Sequence, residues 1–432
     1  MLKSLIKHII LTILTLEAKL VLKKYRPRIV AITGSVGKTS TRDAIYHVVK
    51  DSLTTRKSEK NFNNEFGLPL SVLGLPTGWN KISVWMKNII QGFSLLIGTH
   101  SYPELLILEV GADHPGDIAK ITSWLPIDIA AVTAVGDIPV HVEFYASPEE
   151  VAKEKLSLLS GLKKGGVAVL NTDDPRIAPP SHLPQEIRVI TYGLDPSRDI
   201  SGENVAIQYD GNVPVGLSCD VTTSGNTHHV TLTHTIAVHS IYTTLAALGA
   251  ASALDINTDT ALGRLPHIAP TPGRLRVIEG IRGSILIDDT YNAAPAAMEA
   301  GLQTLGSLAS QGTKIAVLGD MLELGDYAER AHKETGAHAA SVCDTLIVLG
   351  EHARTVAESA QKAGLSAAHI HIVENTEEAS RMLSQSIDTH DIVFIKGSQG
   401  MRMERIVKVL MAHPEEAAIL LVRQEDEWQR KD

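Results

Sequence analysis

The 432-residue sequence predicts an α/β protein with two mainly parallel sheets in tandem, and three observations carry that prediction. Short β-branched runs alternate with helical stretches along most of the chain, as buried strands covered on both faces do. The segment HIAPTPGRL at 267–275, with two prolines and a glycine, interrupts the alternation, which then restarts. Aromatics are 4% of residues and hydrophobics 44%, which suits cores of Val, Ile, Leu and Ala. A chain of this length exceeds one ordinary core. The expected organisation is an N-terminal amphipathic helix at 1–26, a first domain at 27–266, a hinge linker at 267–275 and a second domain at 276–432.

The first 25 residues are rich in Leu and Ile, but Lys3, Lys7, Glu17 and Lys19 interrupt them. The longest uncharged run falls short of the ~20 residues a spanning helix needs, and no small-residue cleavage site follows. Ser4, His8, Thr12, Thr15 and Lys19 recur at helical spacing, leaving a broad apolar face opposite a polar stripe. Such a helix either docks on its own protein or lies on the inner membrane surface, with its lysines at anionic head groups.

Strands are expected at 28–33, 105–111, 127–135 and 166–171. Residues 200–238 alternate Val, Thr and Ile among Asn and Gly, which reads as antiparallel strands at a sheet edge, closed by a helix at 240–254. Beyond the linker, strands at 284–289, 314–320, 345–350, 369–373 and 391–397 form a second doubly wound sheet. The charged tail after Pro414 is expected to fray.

The net charge of -9 argues against a nucleic-acid partner, which needs a basic face. Cys219 and Cys343, far apart, build neither a disulfide framework nor a zinc ribbon, and two reduced thiols fit a cytoplasmic compartment.

The most specific signal is Thr33-Gly34-Ser35-Val36-Gly37-Lys38-Thr39-Ser40, between a strand and a helix. Glycines let backbone N–H groups curl round phosphate oxygens, and the helix N-terminus adds positive potential. Lys38 reaches the β- and γ-phosphates of ATP in such a loop, and the Thr39 hydroxyl binds Mg²⁺. The general pattern carries a further glycine where this chain has Ile32, so the loop is a shortened form.

That loop, TGSVGKTST, resembles the one in Mur ligases. The resemblance extends from residue 28 to about 412 through NFNNEFGLPLSVL (61–73), LEVGAD (108–113), VAKEKLSLLSGL (151–162), PGRL (272–275), DDTYNAAPAAM (288–298), GDMLELG (319–325) and KGSQGMRME (396–404). It is strongest toward the MurF branch, which joins D-alanyl-D-alanine to UDP-N-acetylmuramoyl-tripeptide. It implies a P-loop central ATPase domain followed by a Rossmann-like C-terminal domain. The implied enzyme is an ADP-forming peptide ligase of peptidoglycan synthesis, working through an acyl phosphate. Its partners would be ATP, a carboxylate acceptor of peptidoglycan-precursor type and an amino acid or dipeptide donor. Other amide ligases of the superfamily (folylpolyglutamate, cyanophycin or amidating types) and a non-catalytic ATP-binding membrane-surface scaffold are the alternatives.

By the same resemblance, Glu109 would hold Mg²⁺ and His141, in PVHVEF, a second metal. Lys155, rather than its neighbour Lys153, would carry a CO₂-derived carbamate that helps hold the metal, which needs an amine with a lowered pKa. Asp289, Tyr291 and Asn292 would close over ATP, Arg274 would approach the phosphates and Lys396 would face the acyl phosphate. Asn63, Asn64 and Glu65 would face the acceptor. The chain departs from the family in two places. MurF proteins begin with a uridine-gripping domain of ~100 residues, whereas here the P-loop arrives by residue 34. Ser240 and Thr243 replace asparagines near His239 that help seat the nucleotide.

Overall fold

The computed structural model describes residues 2–59, 62–78, 81–139, 141–177, 186–233, 235–268, 271–425 and 428, with backbone only at 2–6 and 8. The expectations for the side chains of Ser4 and His8, for Asn61, for Ala269 and Pro270 of the linker and for the end of the tail lie outside the described residues.

Strands β1 (Arg28–Thr33), β2 (Thr55–Lys57), β3 (Leu105–Glu109), β4 (Ile127–Val132), β5 (Leu162–Asn171), β6 (Arg188–Gly193), β7 (Ile200–Asp210), β8 (Val213–Thr223) and β9 (Asn226–Thr233) form one sheet. Its order is β2-β3-β1-β4-β5-β6-β7-β8-β9, parallel as far as β7 and antiparallel from β7 to β9, as expected for 200–238. Side chains of β1 alternate between the two faces, as the two-residue period of a strand requires. Val30 and Ile32 pack with Ile45 of α2 (Lys38–Val49), while Ile29 and Ala31 join the core under α1 (Leu2–Tyr25).

The second sheet contains β10 (Arg276–Glu279), β11 (Ile285–Asp289), β12 (Lys314–Gly319), β13 (Thr345–Leu349), β14 (Ile370–Ile372) and β15 (Ile392–Lys396). Its order is β10-β11-β15-β12-β13-β14, parallel except for the edge strand β10. Ligand groups gather at the carboxyl ends of such strands. Here those ends carry the glycine loop after β1, Glu109 on β3, Asp289 on β11 and Lys396 on β15.

Helix α1 docks on its own protein. Leu14, Ala18 and Val21 are buried against α3 (Gly67–Leu73) and α4 (Ile82–Ile97), and the Tyr25 ring stacks on Tyr102 at 4.6 Å. The polarity read from sequence is only partly kept. Glu17 is buried, while Ile9, Leu16 and Leu20 are exposed. No described helix is long and apolar enough to cross a membrane.

The tail corrects an expectation. Leu421, Val422 and Arg423 are buried, and Arg423 donates to Glu404 Oε2 at 2.9 Å and to the Tyr291 carbonyl at 3.0 Å. Glu404 is buried, and a buried carboxylate needs cations; Arg402, at 2.7 Å, supplies the other.

Candidate active site

The glycine loop is held by a close approach. Gly34 has φ +142°, and a Cβ there would lie 2.0 Å from Thr133 Oγ1, so no side chain fits. Gly37, at φ +85°, turns the chain into α2. The Ser35 and Val36 amides donate to the Ala134 carbonyl at 2.7 and 3.1 Å, strapping the loop to the end of β4. Lys38 Nζ folds back on the Gly34 carbonyl at 2.8 Å. Burial holds this amine below the ordinary lysine range, against the opposing charge of Glu109.

Thr39 Oγ1 donates to Glu109 Oε2 at 3.0 Å. Asn63 Nδ2 lies 3.5 Å from the other carboxylate oxygen, and Arg42 lies 3.5 Å from Oε2. Arg42 escaped the sequence reading, because a lone arginine inside a helix carries no local signal. Asn64 Oδ1 instead accepts from the Phe66 and Gly67 amides at the start of α3, and Glu65 is exposed. Of the 63–65 group, Asn63 lines the cavity.

Helix α6 (Pro148–Leu156) starts at Ser147, whose hydroxyl accepts from the Glu150 amide. Glu154 fastens it to α5 (Asp117–Thr122), accepting from the Gly116 and Ile118 amides at 2.9 and 2.7 Å. Two residues along a helix turn a side chain by about 200°, so the two lysines diverge. Lys153 is 78% exposed beside Glu150, whereas Lys155 is 2% exposed and donates to the Ala112 carbonyl at 3.0 Å. Burial, then the charge of Lys38, pushes the Lys155 amine down to about 7. His141, at φ +62°, has Nδ1 2.9 Å from Glu323 and Nε2 3.4 Å from Asp113. Asp113 ends the LEVGAD segment and Glu323 lies in GDMLELG, where sequence alone gives neither acid a partner.

From the second sheet, Arg274 stacks on the Tyr291 ring at 4.3 Å. Asn292 Oδ1 accepts from the Gln399 amide at 3.3 Å. Lys396 is fully buried and donates to Asp289 Oδ2 at 2.6 Å and to the Asn292 carbonyl at 3.0 Å. Burial lowers its pKa against the pull of Asp289.

These groups meet around two cavities on either side of the loop. One, of about 660 Å³, is lined by Ser35 to Thr39, Asn63, Glu109 and His141 from the first sheet and by Arg274, Tyr291 and Asn292 from the second. The other, of about 620 Å³, is lined by Ser40, His239, Ser240, Thr243, Asp289 and Lys396, with Arg274 shared. Burial pushes the His239 imidazole down to about 4, so it is neutral there. A glycine loop with a lysine, a hydroxyl and a carboxylate at hydrogen-bond spacing suits a nucleotide triphosphate and its counter-ion.

The Mur ligase middle domain matches residues 32–251 and the Mur ligase glutamate ligase domain residues 273–399. A UDP-N-acetylmuramoyl-tripeptide–D-alanyl-D-alanine ligase of Bacillus subtilis is 30% identical over 407 residues, covering 94% of this chain and 80% of that one. The Escherichia coli enzyme of that name is 26% identical over 391 residues, covering 89% and 76%. The crystal structure of MurF ligase from Thermotoga maritima in complex with ADP superposes with a TM-score of 0.76 at 26% identity, covering 92% of this chain and 83% of that one. With both family domains matched in order over the sheets that enclose the cavities, the chain belongs to the Mur ligase family.

Proposed function

We propose that this chain is a MurF-type ligase of peptidoglycan precursor synthesis that transfers the γ-phosphoryl of ATP to an acceptor carboxylate and lets an amine displace the phosphate. The observation that carries the reading is the shared cavity, where Lys38, Thr39 and Glu109 face Arg274, Tyr291 and Asn292. Carboxylate and triphosphate repel one another, so their approach requires cations held in place beforehand. Lys38 and Arg274 supply two that cannot drift away. The acceptor in this reading is a UDP-N-acetylmuramoyl-tripeptide and the donor D-alanyl-D-alanine, as in the names of the relatives.

The donor set fits Mg²⁺, which takes one or two carboxylates, phosphate oxygens and water rather than a protein cage. Thr39 and Glu109 would hold Mg²⁺ and His141 a second metal, with a CO₂-derived carbamate on Lys155 adding an anionic ligand. When bound, Mg²⁺ screens the phosphates and orients the transferred group. The buried Lys155 amine, lowered to about 7, supports the carbamate, because only the neutral amine attacks CO₂. Asp289, Tyr291 and Asn292 close over ATP, Arg274 approaches the phosphates, and Lys396, held by Asp289, faces the acyl phosphate. Asn63 faces the acceptor beside Glu109, with Asn64 and Glu65 on the same loop. The domains divide at 27–266 and 276–432, and 267–275 is the hinge on which they close. Residues 1–25, whose helix α1 docks by one face on α3 and α4, meet the inner membrane surface with the other face.

Mass spectrometry of the product tests this reading. Incubation with Mg-ATP and both substrates should yield a tripeptide product heavier by the dipeptide, and none with Lys38→Ala. Product from a different acceptor only would keep the ligase and move its substrate. ATP binding without any product would favour a scaffold.

A further inference from the structure

We propose that the outer face of α4, with that of α1, docks on an anionic lipid bilayer. Ile82, Met86, Ile90, Phe93 and Ile97 follow one another at intervals of three and four residues, so they form a single stripe along α4. They are 62%, 52%, 66%, 55% and 68% exposed, far more than five large apolar side chains of one helix normally are. On α1, Ile9, Leu16 and Leu20 are exposed as well, at 49%, 57% and 43%.

The stripe is held outward by the packing of α4 on α1. Gly92 and Asn88 form the buried side of α4, and Asn88 Nδ2 donates to the Pro76 carbonyl at 2.7 Å. A Cβ on Gly92 would lie 2.2 Å from Glu17 Oε2, so the two helices touch there. Further along both helices, Lys24 Nζ donates to the Leu95 and Leu96 carbonyls at 2.9 and 3.2 Å. The helices therefore run side by side in the same direction, with their inner faces spent on each other and on α3.

Charge selects the occupant. Residues 1–26 and 77–100 contain eight Lys and Arg and one acid, Glu17, in a chain whose net charge is -9. Glu17 is buried, whereas Lys7, Lys19, Lys23, Lys81 and Lys87 are exposed. An exposed apolar stripe bordered by lysines on an otherwise acidic protein complements anionic head groups over an acyl layer. A second copy fits poorly, because a two-fold contact sets the same basic patch against itself. No described helix is able to span the bilayer, so the contact is interfacial. This extends the reading that residues 1–25 meet the membrane and moves most of the apolar contact to α4.

The face adjoins the site. Lys7 Nζ sits 4.6 Å over the Phe66 ring, and Phe66 meets Trp85 of α4 edge-on at 6.5 Å. Phe66 closes the segment whose Asn63 lines the cavity. A bilayer on this face therefore lies beside the acceptor side of the enzyme.

Flotation of the full-length protein with vesicles tests the proposal. Vesicles of about 30% phosphatidylglycerol in phosphatidylcholine should carry it upward, and about 0.5 M salt or phosphatidylcholine alone should weaken binding about tenfold. Ile90→Asp with Phe93→Asp should cost at least about tenfold in affinity with the melting temperature and ATP hydrolysis unchanged, since both residues are exposed. Lys81→Glu with Lys87→Glu should weaken binding to anionic vesicles only. A wild-type protein that stays unbound, or binding that both variants leave intact, overturns the proposal. So does a soluble dimer that Ile90→Asp with Phe93→Asp converts to monomer, which assigns the stripe to a second copy. Flotation in a protein with no ligase activity would leave the docking face standing and remove the ligase reading alone.

Discussion

Thr39 Oγ1 and Glu109 Oε2, 3.0 Å apart, join the first turn of the helix after the glycine loop to the last residue of the neighbouring strand. The hydroxyl and the carboxylate are thus already at the separation of two ligands on one small cation. Replacing Glu109 by Gln keeps the shape and the hydrogen bond while removing the charge. The expected outcome is a fall of about 10²-fold in kcat with a raised Mg²⁺ requirement. Steady-state phosphate release against Mg²⁺ concentration checks it, and an unchanged Mg²⁺ dependence would remove Glu109 from the metal set.

Lys155 makes a prediction in pH. Its amine is lowered to about 7, so the neutral fraction that reacts with CO₂ grows as pH climbs through that value. With ¹³C-bicarbonate, a carbamate resonance should strengthen between about pH 6 and about pH 8, in step with kcat, and be absent from Lys155→Arg. Lys153→Ala, on the exposed side of the same helix, should leave both unchanged. A resonance that survives Lys155→Arg would place the modification elsewhere.

Lys396 and Asp289 form a buried pair at 2.6 Å. Removing one partner strands a buried charge, so Lys396→Met is expected to cost about 3–5 kcal/mol of stability. Lys396→Met with Asp289→Leu should recover much of that loss without recovering turnover. Denaturant unfolding of the three proteins checks the prediction. A single variant as stable as the wild type would mean that the pair is open to solvent.

Much of this site was legible in the sequence because its parts are local. The loop from Thr33 to Ser40 fits within one strand–turn–helix, and Glu109 and Lys155 each sit in a short motif whose helix or strand sets their direction. What remained unread depends on tertiary contact. Arg42 reaches Glu109 across 67 positions, Lys396 reaches Asp289 across 107 and Arg423 reaches Glu404 from a tail that composition alone suggests is loose. Helix α4 carries no mark of its role in the sequence, because an apolar stripe reads identically whether it faces a core or solvent. In sequence Glu17 interrupts an apolar helix, yet its carboxyl is packed against Gly92.

Glu17 gives a stability prediction. Burial raises its carboxyl to about 7, and Oε2 has no hydrogen-bond partner among the described residues. The folded chain therefore holds the proton more tightly than the unfolded chain does. Stability from this group is fully present below the ordinary carboxylate pKa of 4.5 and is lost as pH rises through about 7. Glu17→Gln should flatten that slope and add about 1–3 kcal/mol above pH 7, the usual cost of an unsatisfied buried group. Thermal melts from acid to neutral pH check both, and a slope unchanged in Glu17→Gln would contradict the assignment.

The most direct test of the central claim is phosphate release from Mg-ATP by the purified protein, with UDP-N-acetylmuramoyl-tripeptide and D-alanyl-D-alanine supplied singly and together. Release should depend on both substrates and vanish in Lys38→Ala. Release that ignores the acceptor, or that persists in Lys38→Ala, would contradict the account.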